Sequence, residues 1–118
     1  MNIISKELYN YHYRPGYKSK ELLIEIFSGV EDENFLSDLF QAISKLSIRI
    51  NDIQDLWMND EVLLTIESNM GNFILSKDIW GLCFIMSENN QKCISEINRL
   101  LEQDIQFQKI EVDFKNYL

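Results

Sequence analysis

From Glu31 onward the apolar positions Phe35, Leu36, Leu39, Phe40, Ile43 and Leu46 follow one another at intervals of 1, 3, 1, 3 and 3 residues. An α-helix gathers that spacing onto one stripe, so the pattern predicts a helix from Asp32 to Leu46. Glu31, Asp32 and Glu33 stand at its start, where unpaired N–H groups and the positive end of the helix dipole favour carboxylates. A second stripe, Ile94, Ile97, Leu100 and Leu101, predicts a helix from about Asn90 to Gln103, with Ser87 to Asn90 as candidate caps. Phe35, Leu39, Ile43, Ile94, Ile97 and Leu101 are the expected core positions of the two helices.

Elsewhere the period changes to two. Leu22 to Phe27 is a short apolar run stopped by Ser28-Gly29, the profile of a buried strand. Val62, Leu64 and Ile66 alternate with Leu63, Thr65 and Glu67. Asn69-Met70-Gly71-Asn72 reads as a turn, Phe73 to Leu75 resumes the strand, and Gly81 opens another from Leu82 to Met86. These form an antiparallel meander. Between Leu46 and Val62 two readings stand: Ile48 and Ile50 alternate like a strand, whereas Ile53, Leu56 and Trp57 have the spacing of a helical turn, and either reading buries the isoleucines. At the C-terminal end Ile110, Val112 and Phe114 alternate with charged residues and predict a final strand at or near a sheet edge.

The N-terminal stretch alternates over Leu8 to Tyr13 and continues into Arg14-Pro15-Gly16-Tyr17, which suits a type II turn with Gly16 at positive φ. A Tyr-rich hairpin over about residues 8–20 is one reading; an arm of exposed tyrosines is the other. The whole order is the α+β plan: a mostly antiparallel sheet with two principal helices packed on it. With 118 residues the chain is expected to form one domain, 1–118.

Composition narrows the setting. No apolar run approaches the roughly 18 residues of a membrane span, and the first six residues lack a signal-peptide core, so a cytoplasmic protein is expected. Cys83 and Cys93 fall in apolar or helical patterns and read as buried hydrophobes rather than a disulfide framework. Two cysteines ten apart and the single histidine, His12, supply no usual zinc set, and no metal, nucleotide or other cofactor is expected.

The formal net charge is -8, unevenly spread. In residues 1–20, Lys6, Arg14, Lys18 and Lys20 stand against Glu7, a balance of +3. In residues 31–67, nine carboxylates stand against Lys45 and Arg49, a balance of -7. Such a charge argues against nucleic acid, whose binders draw affinity from Lys and Arg. An acidic stretch commonly serves capping and solubility. It also suits a docking surface for a basic protein, and Trp57 lies inside it as an aromatic anchor. Asp52, Asp55, Trp57, Asp60 and Glu61 are therefore the candidate partner-binding residues, although its spacing from Ile53 gives Trp57 a core reading that the pattern favours.

Catalytic constellations are not evident. His12 lies between Tyr11 and Tyr13 without a visible nucleophile, and Gly16, Gly29, Gly71 and Gly81 are single turn residues rather than a phosphate cradle. Glu31-Asp32-Glu33, Asp52 with Asp55, and Asp60-Glu61 lack the apolar surroundings that split the roles of a catalytic carboxylate pair. A non-enzymatic binding protein is expected.

A small, acidic, cysteine-poor α+β chain without catalytic residues, carrying an aromatic in its acidic stretch, resembles the bacterial toxin-immunity proteins, including those of contact-dependent growth inhibition. The resemblance covers the chain as a plan rather than by a motif and carries over no binding residues. It implies an inhibitor that binds a toxin domain tightly, a basic nuclease in many cases, and blocks its active site or substrate surface. The alternative is a regulatory or assembly domain acting as a homodimer, its final strand from Gln108 to Phe114 pairing across a two-fold axis.

Overall fold

The computed structural model describes residues 8–118; residues 1–7, which carry the leader expectation and the charges of Lys6 and Glu7, lie outside the described residues. Seven strands form one sheet: β1 (Tyr9–Pro15), β2 (Leu22–Ile26), β3 (Arg49–Leu56), β4 (Glu61–Ser68), β5 (Gly71–Asp78), β6 (Cys83–Met86) and β7 (Phe107–Lys109). Their order is β3-β4-β5-β6-β2-β1-β7. Every neighbouring pair is antiparallel except β1 with β7. Two α-helices, α1 (Phe35–Ala42) and α2 (Gln91–Glu102), complete the α+β fold read from the sequence.

The period-two pattern becomes a row of side chains across the sheet. Ile53, Leu64, Leu75, Ile85, Ile24 and Tyr13 stand opposite one another in register on six consecutive strands, and residues directly opposite share a face. Leu64, Leu75, Ile85 and Ile24 are buried, and α2 lies against β2, β5 and β7 on this inner face. The six helix positions expected in the core, Phe35, Leu39, Ile43, Ile94, Ile97 and Leu101, are all fully buried.

Element boundaries depart from the periodicity where local hydrogen bonds compete. The Asp32 carboxylate accepts from the Asn34 N–H at 2.8 Å, and the Phe35 N–H donates to the Asp32 carbonyl at 3.0 Å. The acidic triplet thus builds a turn, and α1 begins only at Phe35. Its end tightens into a 3-10 turn, Ser44–Leu46, stopped by Ser47 at φ 53°.

The N-terminal hairpin is real and the arm is not. β1 pairs with β2 from Tyr11 to Pro15, and Tyr9 and Tyr11 are buried. The turn differs from the expectation: Gly16 is not at positive φ, and Lys18, at φ 56°, takes the left-handed position. At the other end the expected strand is displaced. β7 ends at Lys109; the Ile110 N–H makes one last bond to the Tyr11 carbonyl at 2.8 Å, and the chain then leaves the sheet. It closes in a 3-10 turn, Phe114–Tyr117, with the Tyr117 ring 4.5 Å from the Arg14 guanidinium. That cation–π contact and the bond from the Lys18 N–H to the Tyr117 carbonyl, 2.8 Å, hold the tail away from the edge that alternation alone favoured.

Candidate partner-binding surface

β3 lies beyond the cover of the helices. Seven of its eight residues are exposed, and Ile53, which ends the row that forms the core on β4 to β2, is 61% exposed. The expectation that Ile50 and Ile53 are buried is therefore corrected: both face the inner side of the sheet, but at a strand that no layer covers. A bulge between Ile50 and Asp52 resets the alternation, so that Ile53 and Asp55 share the inner face while Asp52 faces the outer one.

Strand β3 ends at Leu56, and Trp57–Asn59 forms a single 3-10 turn reversed by Asp60 at φ 54°. The turn projects past the end of the sheet. Trp57 is consequently 74% exposed, and Met58 is exposed beside it, which overturns the core reading of Trp57. A helical spacing of three residues was present in the sequence, but one turn of 3-10 helix has no apolar stripe to bury.

The turn between β5 and β6 lies against this projection. Asp78 Oδ1 accepts from the N–H groups of Trp80 at 2.9 Å and Leu82 at 3.0 Å, and Gly81 adopts φ 89° to close the turn. The Ile79 N–H donates to the Asp60 carbonyl at 3.2 Å, joining the two connections. Ile79 and Trp80, the latter 69% exposed, add two large apolar side chains to Trp57 and Met58 at the same end of the molecule. A shallow pocket of about 290 Å³ lies here, bordered by Trp57, Val62 and Ile79, by the carboxylates of Asp55, Asp60, Glu61 and Asp78, and by one cation, Lys77.

The structure therefore brings together Asp55, Trp57, Asp60 and Glu61 and leaves Asp52 outside the pocket. Glu61 also has a structural task, since its carboxylate accepts a hydrogen bond from the hydroxyl of buried Ser76. Asp78, Ile79 and Trp80 escaped sequence reasoning. Their signal was a tryptophan beside a glycine in a strand-to-strand turn, where an apolar residue has no core to enter.

The remaining candidates are structural. The His12 ring stacks on Phe27 with centroids 4.3 Å apart, and its Nδ1 lies 2.8 Å from the Ile110 carbonyl oxygen. Arg14, 5% exposed, donates from Nε to Glu25 at 2.7 Å. Cys83 and Cys93 are buried, and burial pushes both thiols above their usual range. Among the described residues no three His, Cys, Asp or Glu side chains are grouped to hold a metal ion, and no helix is long and apolar enough to cross a membrane. Comparison with protein-family models, curated proteins and solved structures gives no match.

Proposed function

We propose that this chain is an immunity-type binding protein that neutralises a cognate toxin domain, a basic nuclease in the simplest case, through the acidic and aromatic end of its sheet. The observation that carries the reading is the exposed Trp57 beside Ile79 in a pocket with four carboxylates and one lysine on its border. An exposed tryptophan supplies the apolar anchor of an interface, and the surrounding carboxylates steer a cationic partner and repel acidic ones. A basic active-site surface, built to receive phosphates, is complementary to that field. Binding needs no cofactor and no catalytic group on this chain, which makes it an inhibitor rather than an enzyme.

The test is co-expression with the domain encoded directly upstream. Wild type is expected to restore growth, whereas D52K/D55K/D60K, which spares the structural Glu61, should remain folded by circular dichroism and fail to protect. Failure of wild type to protect rejects the reading; equal protection by both moves the contact away from the acidic end.

A further inference from the structure

We propose that β3 is a strand-addition site, and that an extended basic segment of the partner pairs with its free edge along Asp52 to Leu56 as an eighth strand. The inference rests on the binding reading above and specifies how the partner is held.

Strand β3 is the outermost strand, and among the described residues it pairs only with β4. In an antiparallel pair alternate residues turn both N–H and C=O away from the partner, so an edge strand carries a row of unmet donors and acceptors. The two edges of this sheet differ. β7 has three residues, whereas β3 has eight, of which seven are exposed. The bulge is confined to Ile50 and Asp52, and from Asp52 to Leu56 the register with β4 is uninterrupted, which leaves a regular edge for pairing. Ile53 offers apolar surface on the inner face for the side chains of an added strand.

Charge selects the occupant. Asp52 and Asp55 make no ion pair among the described residues, while Arg49 is already engaged by Glu67. Asp52 and Asp55 face opposite sides of the sheet, so an added strand that places a Lys or Arg across from either one sets opposite charges across the new pairing, which is favourable. A second copy of β3 sets this acidic edge against itself, which is not. The added strand also runs into Trp57, which directly follows β3, so edge and pocket form one continuous surface.

The experiment is amide hydrogen exchange by NMR, on the full chain alone, with the upstream-encoded domain, and with acetylated peptides of alternating Lys-Val or Glu-Val. With the domain bound, alternate amides between Asp52 and Leu56 are expected to exchange at least 10-fold more slowly. Binding without protection there overturns strand addition and leaves the neutralising reading standing. If the domain does not bind, that reading fails, and the peptides decide the edge: protection by Lys-Val alone supports it, and protection by neither or by both overturns it. Protection that grows with protein concentration in the absence of any partner assigns the edge to a second copy and also overturns it.

Discussion

The Ile79 N–H donates to the Asp60 carbonyl across 3.2 Å, so the two loops that carry Trp57 and Trp80 are positioned by a backbone bond rather than by a side chain. That geometry requires Asp60 to hold φ 54°, a left-handed conformation that glycine, asparagine and aspartate tolerate and β-branched residues resist. Asp60→Gly is therefore expected to change the free energy of unfolding in urea by no more than about 0.5 kcal/mol, while Asp60→Val lowers it by about 1 to 2 kcal/mol. Equal effects of the two would mean that the carboxylate, not the backbone, is what the position needs.

Alkaline stability should depend on Tyr11. Its hydroxyl donates to Asn98 Oδ1 at 3.1 Å, and burial, helped by the charges of Glu102 and Glu111, raises its pKa far above the ordinary tyrosine value. The folded state then binds the phenolic proton more tightly than the unfolded chain does. The resulting stability is complete below about pH 10 and is lost as pH rises above it. Cys83 and Cys93 act in the same direction from about pH 8.5, because burial raises both thiols as well. In a Cys83→Ala/Cys93→Ala background, the urea midpoint should fall above pH 10, and Tyr11→Phe should flatten that fall while costing about 1 kcal/mol at pH 7 for the lost hydrogen bond. An unchanged slope would assign the alkaline loss to other groups.

What the sequence disclosed follows from where side chains are buried. Phe35, Leu39 and Ile43 repeat at the helical period because α1 hides one stripe, and Leu64 and Ile66 alternate because β4 hides one face; both periods predicted the α+β plan and the core. Ile50, Ile53 and Trp57 have the same apolar character, but burial is a property of the neighbouring layer, and no local pattern states that β3 lies beyond the helices. The tail departs from its local pattern for a related reason. Ile110, Val112 and Phe114 alternate, yet the long-range contact of Arg14 with Tyr117 decides their course. The acidic residues of the site were legible as charge; the pocket that joins Asp55 to Asp78 depends on strand pairing that charge does not encode.

Gly29 provides a sharp test of packing near β1. At φ 85° it occupies the region that disfavours other residues, and a β-carbon there would lie 2.5 Å from the Tyr9 ring. That ring cannot readily retreat, because it packs on Phe35 and Phe107 with centroids 5.3 and 4.9 Å away, and its hydroxyl donates to Asp38 at 2.7 Å. Gly29→Ala should cost about 2 to 4 kcal/mol, the joint effect of backbone strain and overpacking. Gly16→Ala, whose new methyl would find its nearest neighbour at 3.6 Å, should stay within about 0.5 kcal/mol and serves as the control in thermal melts.

Trp57 separates binding from folding. A tryptophan in the core costs roughly 3 to 5 kcal/mol to truncate, but at 74% exposure Trp57 has little to lose in the free protein. Trp57→Ala should therefore alter stability by no more than about 0.5 kcal/mol. As the anchor of the proposed interface the same side chain should contribute about 2 kcal/mol or more to association, which appears as a roughly 30-fold weaker Kd for the proposed toxin partner in titration calorimetry. Trp80→Ala tells whether the second tryptophan shares that load: its N–H, not its indole, closes the turn through Asp78, so the fold should survive the change. Stable variants that both bind like wild type would remove the aromatic end from the interface, whereas loss at Trp57 alone would centre the contact on the pocket it borders.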